Sequence, residues 1–458
     1  LSVMSESSCD RGGVMSTTNV SIVADQAAAE AKRNKRITFG VIIGLIAYII
    51  FSVIQFEIAS IPQKWSSERA ALFVLDTYAY KDHVEFTWEQ PDDIEISFEG
   101  GFRAVYQEPP AWYAVGTQFD TVQFEGDQTM RVYRDRIELH GGWPDLTQPI
   151  VFGRDASGSP AVLSSGPIPD WVRVTENKVE VRPSLFERLQ VYARKAEIHR
   201  YEMGWGYFWF DFDSPLVGTG PLEALGLMFS GERVVADQSN AALIAHEFFN
   251  NDMWFHKEVF WALAETFLMA VLGTFFAAFV GLPLAFLAAK NVASNQSLRF
   301  VLRRLFDMLR GIDMLIWSLI FLRAFGPGIF TGIFAIAFTD TGSLGKLMSE
   351  AIENTDKKQG DGIKSTGAKK VLRHRFGVVP QILPVFVSQG LYHLESNTRS
   401  AVIIGAMGAG GIGLQFLGAL QTGTDFENVA YMAILILVMV IAIDQFSSWL
   451  RRKLIGLT

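Results

Sequence analysis

Long apolar runs constrain this sequence more than any other feature. Six stretches approach or reach the length of about 20 apolar residues that a helix needs to cross a bilayer core. One lies near the N-terminus and the others follow a long polar region, so the 49% of hydrophobic residues are pooled rather than spread evenly. The runs predict an all-α polytopic membrane core of about six transmembrane helices, placed at 37–58, 259–289, 305–325, 329–348, 376–404 and 429–450.

Basic residues flank these runs in a pattern that indicates topology. Lys32, Arg33, Lys35 and Arg36 precede the first run, which favours a cytoplasmic N-terminus and an uncleaved anchor over a cleaved signal peptide. Further basic clusters follow the second run, lie between Lys357 and Arg375, and end the chain at 451–453. With six spans, every cluster falls on the cytoplasmic side. We therefore expect a multi-pass protein of the cell inner (plasma) membrane with both termini cytoplasmic, residues 1–36 being a disordered tail.

The region 60–257 has no run long enough to span, and its apolar residues alternate with polar ones. The stretches 84–88 and 94–98 show this period of two, and Val172 and Val174 face Val179 and Val181 across a polar turn. The pattern from about 183 to 197 looks helical instead. Aromatic residues crowd 207–212, which suits either a membrane interface or a packed core. We predict a large β-rich extracytoplasmic domain between the first and second spans.

Composition excludes several classes of function. The formal charge of −8 and the scattered basic residues argue against a nucleic-acid partner. The single Cys9 rules out an intramolecular disulfide, a Cys-based zinc site and a Cys-based iron–sulfur cluster. His246 and Glu247 lack a second His four residues after the first, where Asn250 stands, so a zinc-hydrolase helix is not supported.

A polar, Lys-rich segment at 361–380 lies between two of the apolar runs. Asp361, Gly362 and Ile363 are followed by Gly367 and then by Pro380. A loop that transmits force needs a short helix, a small surface and a defined exit into the membrane. Gly367 can supply the small surface, and Pro380 can supply the exit. The alternative is an ordinary solvated loop whose lysines keep it inside the cell. Spacing alone does not separate the two, and it predicts a short cytoplasmic helix near 358–373.

Several motifs in order resemble the phosphonate ABC-transporter permease family. They lie at 310–312, 317–321, 345–347, 349–353, 361–368, 395–400 and 405–413, within roughly 265–444. The segment at 361–380 then resembles the "EAA" loop of ABC-importer permeases, with Asp361, Gly362 and Ile363 in place of Glu-Ala-Ala. The family also usually has Pro or Asn and then Glu where this chain has Asp313 and Met314.

The resemblance implies a type I ABC importer permease core at 258–458. It implies a non-enzymatic transport subunit without a cofactor of its own, because ATP and Mg would be bound by a partner ATPase. The implied partners are a second permease copy, two ABC ATPase subunits on the cytoplasmic side, an extracytoplasmic solute-binding protein and membrane lipid. The implied cargo is phosphonate or a related small oxyanion, with phosphate or phosphite as alternatives.

The same resemblance implies three groups of functional residues. ATPase coupling is expected of Asp361, Gly362, Ile363, Thr366, Gly367 and Ala368. Pathway or intramembrane polar roles are expected of Asp313, Trp317, Glu395, Asn397 and Arg399. A helix break is expected at Gly408, Gly410, Gly411 and Gly413.

Two of these groups have competing interpretations. The Arg399 guanidinium could bind an oxyanion bidentately, but Glu395 lies four residues earlier on the same helical face, and we favour a structural pair. The spacing of Gly408, Gly410 and Gly413 matches a dinucleotide-binding fingerprint, but that fingerprint needs a preceding strand and an acid about 20 residues on. We favour a break or close packing of a membrane helix.

Two other classes of protein are alternatives to a permease. A membrane receptor could sense a ligand through 60–257, but it would normally need fewer spans and a cytoplasmic output domain. A membrane-bound hydrolase should show a convergent His, Asp or Glu motif in the spans, and the sequence has none. The role of 60–257 stays open between guiding a binding protein and bracing a dimer.

Overall fold

The computed structural model describes residues 17–99, 104–146, 148–230, 232–423 and 425–455. The chain divides into two compact units, Leu1–Ala70 and Ala71–Thr458. In the first unit, helix α1 (Thr17–Gln55) is followed by a 3₁₀ turn (Ile58–Ser60) and the short helix α2 (Ile61–Lys64). The segment Ala29–Gln55 has the length and hydropathy to cross a membrane, and its apolar side chains are exposed as lipid contact requires. The first predicted span therefore lies within α1, apart from its last three residues.

Helix α1 begins well before the predicted span. Thr17 to Arg36 is helical where the sequence predicted a disordered tail, and residues 1–16 of that tail lie outside the described residues. An alanine-rich stretch at 27–31 favours helix there. The helix ends where Glu57 takes a left-handed φ of 50°.

The second unit starts within α3 (Ser67–Asp76) and continues into two antiparallel sheets. The seven-stranded sheet has the order β10-β11-β12-β13-β1-β2-β3. Its strands are β1 (Ala79–Thr87), β2 (Gln90–Glu99), β3 (Ala104–Val105), β10 (Val172–Val174), β11 (Lys178–Val181), β12 (Glu187–Tyr192) and β13 (Lys195–Met203). The six-stranded sheet runs in sequence order through β4 (Tyr113–Ala114), β5 (Asp120–Gln123), β6 (Thr129–Val132), β7 (Arg136–His140), β8 (Ile150–Arg154) and β9 (Pro160–Val162).

The two sheets pack face to face around one hydrophobic core. Alternation places Val84 and Phe86 of β1 on the inner face, where they join Met130 and Phe152 of the other sheet, all essentially inaccessible to solvent. The strands predicted at 84–88 and 94–98 and the hairpin of Val172 and Val174 with Val181 and Val179 are confirmed.

The helix predicted at about 183–197 is wrong. The structure has strands β12 and β13 there, paired antiparallel. Leu185 and Leu189 are four residues apart and imitate a helical face. Leu189 and Val191 instead alternate with polar residues and complete the inner face of the seven-stranded sheet. Tertiary pairing decided between two local patterns that the sequence carries together.

The aromatic segment after β13 forms a packed core. Phe208 contacts the rings of Trp254, His256 and Tyr431 at centroid distances of 4.8 to 5.3 Å. His256 is buried, with Nδ1 2.8 Å from the Tyr431 hydroxyl and Nε2 2.7 Å from the Phe208 carbonyl. Two helices, α4 (Pro221–Met228) and α5 (Asn240–Phe249), then lead to the membrane core. Of the two interpretations of the aromatics, the structure supports the packed core.

The C-terminal part is helical throughout its described residues. Its helices are α6 (His256–Ala288), α7 (Gln296–Gly311), α8 (Met314–Phe325), α9 (Ile329–Glu353), α10 (Lys357–Ser365), α11 (Lys370–Arg373), α12 (Val379–Ile404), α13 (Ile412–Thr422) and α14 (Phe426–Ile455). Among the described residues, α1, α6 and α14 qualify individually as spans. A bent pair, Lys370–Ala409 with Ile412–Thr422, could add a fourth. The predicted number of six stays a prediction.

The span predicted at 305–325 is wrong as one continuous helix. The chain breaks between α7 and α8, where Asp313 caps α8 by accepting a hydrogen bond from the Leu315 amide at 2.8 Å. Helix α8 has 12 residues, or about 18 Å at the α-helical rise, which is shorter than a bilayer core of about 30 Å. Helix α7 is amphipathic and packs its buried Phe306 against Gly345 of α9.

Candidate functional site

The predicted cytoplasmic helix near 358–373 is two short helices, α10 and α11, joined by a glycine turn. Asp356 caps α10 by accepting from the Lys358 amide at 2.9 Å. Gln381 of α12 accepts from the Asp356 amide at 2.9 Å and donates to the Gly377 carbonyl at 2.6 Å. The start of α10 is thereby hydrogen-bonded to the start of α12.

Gly367 ends α10 in a left-handed conformation. Its φ is +77°, and its amide donates to the Lys364 carbonyl at 3.0 Å, as in a helix C-cap. A Cβ built at Gly367 would meet no atom within 4 Å. Gly367 therefore serves the backbone turn within this chain, and its surroundings are open.

Sequence reasoning missed the close contact that this segment makes within the chain. Gly360 and Gly377 are buried, and a Cβ on Gly377 would lie 3.1 Å from the Gly360 Cα and 3.3 Å from Ile363 Cδ1. Two backbones approach each other at this point, and a side chain at residue 377 would force its neighbours to move. The nearby glycines at 360 and 377 were the available signal, but their pairing depends on the fold.

The residues predicted to couple the chain to an ATPase differ in their exposure to solvent. Asp361, Gly362, Thr366 and Gly367 are exposed, whereas Ile363 and Ala368 are half-buried. Seven Lys or Arg residues lie between Lys357 and Arg375. The segment thus presents a basic surface on a short helix whose inner side rests on the base of α12.

A polar cluster buried between three membrane-core helices surrounds Asn397. The Asn397 Nδ2 donates to Asp340 Oδ2 at 2.6 Å and to Thr274 Oγ1 at 2.8 Å, which connects α12 with α9 and α6. The other Asp340 oxygen lies 3.1 Å from Nδ1 of His393, one turn before Asn397. Asp340 is 3% exposed and Asn397 is 1% exposed, so water cannot replace these partners.

Sequence reasoning selected Asn397 but not Asp340 or His393. An acid inside an apolar run was the signal that could have found Asp340, since intramembrane carboxylates are costly and generally paired. The spacing of four residues places His393 and Asn397 on one face of α12.

Arg399 lies on α12 beside Glu395, as the structural interpretation predicted. Its guanidinium nitrogens are 3.2 and 3.3 Å from Glu395 Oε1, and Arg451 of α14 lies 3.8 Å from the other oxygen. The Arg399 side chain is half exposed, whereas that of Glu395 is largely buried. This arrangement links α12 to α14 through one shared carboxylate.

Asp313 and Trp317 lie at the α7–α8 corner. Asp313 is the α8 cap, and Trp317 Nε1 donates to the Leu309 carbonyl at 3.2 Å. The Trp317 ring also contacts Phe338 of α9, with centroids 5.5 Å apart. Both residues hold the corner in place.

The four glycines form a sharp break between α12 and α13. Gly408, Gly410 and Gly411 have φ of +112°, +87° and +70°, and a Cβ on Gly413 would collide with the Val402 carbonyl. The helical segments on the two sides differ in direction by 63°. The fingerprint for dinucleotides requires a preceding strand, but α12 precedes these glycines, so the predicted helix break is the structure observed.

Side chains of α6 accept hydrogen bonds from the first backbone amides of α13. Glu265 Oε2 accepts from the Gly411 amide at 3.2 Å, and Thr266 Oγ1 accepts from the Ile412 amide at 2.9 Å. Trp261 Nε1 donates to the other Glu265 oxygen at 2.9 Å. Glu265 therefore occupies its intramembrane position as the cap of α13.

The described residues contain no cluster of side chains that could bind a metal ion. No three His, Cys, Asp or Glu side chains among them converge on a possible metal position. Cys9 lies outside the described residues.

Residues 281–455 match the family described as binding-protein-dependent transport system inner membrane component. The phosphate-import permease protein PhnE of Mycolicibacterium smegmatis is 36% identical over 191 residues, which cover 42% of this chain and 36% of that protein. The phosphite transport system permease protein PtxC of Stutzerimonas stutzeri is 36% identical over 192 residues, covering 42% and 69%. The putative cryptic phosphonate transport system permease protein PhnE2 of Escherichia coli K12 is 40% identical over 121 residues, covering 26% and 98%. The matched part of this chain thus spans about a third of the first relative's length, about two thirds of the second's and nearly all of the third's.

Proposed function

This chain belongs to the family of binding-protein-dependent transport system inner membrane components, and we propose that it is the permease subunit of an ABC importer for phosphonate or a related small oxyanion. The observation that supports a working permease most directly is the exposed α10–α11 segment. It lies within the matched residues, between α9 and α12, and it carries the basic surface and the glycine turn described above.

The proposed mechanism converts movement of an ATPase into movement of α12. Two copies of the chain would form the pathway, and each would offer its α10–α11 segment to one cytoplasmic ATPase. A displacement of α10 would reach α12 through the Gly360–Gly377 contact and through the hydrogen bonds of Gln381. Since both contacts lie at the base of α12, that helix would tilt with the segment.

The proposed cargo follows from the similar proteins. The relatives carry names that refer to phosphate, phosphite and phosphonate, all small phosphorus oxyanions. In this chain Arg399 is paired with Glu395 rather than unpaired. We therefore assign selectivity mainly to an extracytoplasmic binding protein, with the permease supplying the path.

Uptake measurements test the proposal. The chain, its ATPase and its binding protein would be produced together in cells that cannot otherwise import phosphonates. ATP-dependent accumulation of labelled methylphosphonate, phosphite or phosphate is the expected result. A receptor would bind ligand through its extracytoplasmic domain without accumulating it, so the absence of uptake for all three anions would overturn the transport assignment.

Replacing Gly367 by valine should uncouple transport while leaving membrane insertion intact. A β-branched residue at φ +77° costs roughly 1–3 kcal/mol of backbone strain, and it adds bulk to the surface proposed to meet the ATPase. The measurement is substrate-stimulated ATPase activity of the reconstituted complex, which we expect to fall about tenfold, given that about 1.4 kcal/mol corresponds to tenfold.

Gly367→Asn is the matched control, because asparagine tolerates the left-handed conformation better than other residues with a side chain. We expect it to retain most of the coupling. Wild-type coupling in the valine variant would contradict the docking role of this turn.

A further inference from the structure

An aromatic cavity is lined by residues of the seven-stranded sheet region and of the aromatic segment that follows β13. Its volume is about 300 Å³, and its walls include the side chains of Tyr80, Tyr106, Trp205, Tyr207 and Trp209. Trp209 is 43% exposed and stands at the rim, whereas the others are half-buried. The volume falls at the lower end of the range for small-molecule sites.

The rings of this cavity are held in fixed positions. Tyr207 packs edge-on against Phe98, with centroids 4.8 Å apart, and Tyr106 packs in the same way against Phe212 at 5.0 Å. Tyr207 also has φ of +55°, a conformation that non-glycine residues adopt at a cost. Such strain persists only where the surrounding structure enforces it, and it accompanies functional sites more often than plain core positions.

A buried carboxylate lies directly behind the cavity wall. The Tyr106 hydroxyl donates to Asp82 Oδ1 at 2.8 Å, and Asp82 is 3% exposed. Burial raises the pKa of Asp82 to about 6, so the group is still ionised at neutral pH. Arg200, the cross-strand neighbour of Asp82, forms an ion pair with Glu202 and is thus partly neutralised.

Among the described residues, no Lys, Arg or His lines the cavity. Residues 201–232 contain acids but no Lys, Arg or His. An oxyanion in this cavity would find no cation among its lining residues and would be repelled by Asp82. A cation would meet several aromatic residues in addition to that carboxylate, and aromatic rings bind ammonium groups in proteins.

We propose that this cavity binds a small organic ammonium ion, held by the rings of Tyr106, Tyr207 and Trp209 and by the charge of Asp82. The site is independent of the transport function, because its ligand carries the opposite charge to the proposed cargo. The shared chemistry is an alkylammonium group, supplied either by a free solute or by a lipid headgroup.

Calorimetric titration of the full chain in phosphatidylglycerol nanodiscs tests the site. Choline and tetramethylammonium are the probes, with methylphosphonate as the anionic comparison. We expect saturable binding of both cations and none of the anion. Nanodiscs containing phosphatidylcholine identify the source: a loss of choline binding there assigns the cavity to lipid headgroups, and unchanged binding assigns it to a free solute.

Two substitutions at the rim localise the binding. Trp209→Leu removes the ring and should weaken choline binding about fivefold, the effect of losing one cation–π contact of about 1 kcal/mol. Trp209→Phe keeps a ring and should bind within about twofold of wild type. Trp209 is exposed at the rim, so neither substitution threatens folding.

Asp82→Asn provides the second test. It removes the charge and keeps the shape, and we expect it to weaken choline binding about tenfold. If this variant fails to fold, the Trp209 pair decides the matter. Absence of choline binding, equal binding by Trp209→Leu and wild type, or saturable methylphosphonate binding that Trp209→Leu abolishes would each overturn the proposal.

Discussion

Replacing Asp340 by alanine is expected to lower the free energy of unfolding by about 1–3 kcal/mol, the usual penalty for leaving buried hydrogen-bonding groups without their partner. Asp340 is bonded to His393 and Asn397, and it connects α9 to α12. Without it, His393 and Asn397 would each lose one partner, and Asn397 would keep its hydrogen bond to Thr274. The measurement is thermal unfolding of the purified chain in detergent, alongside uptake by the complex.

Two further variants separate the contributions to this effect. Asp340→Asn keeps an oxygen acceptor and should lose less stability than Asp340→Ala. Glu395→Gln removes a charge from α12 where its partner Arg399 is half exposed, and because solvent screens that pair we expect a smaller loss than for Asp340→Ala. If Asp340→Ala unfolded at the wild-type temperature, the cluster would not hold the three helices together.

Replacing Gly377 by valine should reduce uptake about tenfold or more while the protein still inserts into the membrane. The added Cβ would lie 3.1 Å from the Gly360 Cα, and backbone cannot rotate away as a side chain can. Overpacking of this kind costs roughly 1–3 kcal/mol and would shift α10 away from the base of α12. Because the proposed mechanism passes force through this contact, ATP hydrolysis should continue while uptake falls.

Gly418→Val is the matched control for that substitution. Gly418 lies in α13, and a Cβ there would meet nothing within 4 Å. Both substitutions place valine in a helical backbone, so they differ mainly in packing. Equal uptake by the two variants would contradict a coupling role for the Gly360–Gly377 contact.

Elements with one dominant period were predictable from the sequence. The apolar runs at 259–289, 329–348 and 429–450 correspond to α6, α9 and α14, because a predominantly apolar run of about 20 residues or more favours a helix over a strand. The alternation in β1 and β2 was equally unambiguous. The glycine break after α12 was predictable because several glycines follow closely on one another there, and glycine adopts a positive φ at no steric cost.

Elements with two compatible patterns were not predictable. Strand β12 carries helical and strand spacing together, and the partner strands decided between them. The run at 305–325 is apolar enough to suggest a span. The cap at Asp313 and the packing of Phe306 against Gly345 divide it into α7 and α8.

The sequence by itself determined the class of this protein: lengths of apolar chain suited to a bilayer, basic residues beside them, and a polar segment with glycines between two of them. Only the tertiary structure decided which residues work together. Asn397 meets Asp340 and Thr274 across 57 and 123 positions of sequence. Such contacts form only when whole helices pack together. The local sequence pattern that specifies each helix therefore does not predict which helix it will contact.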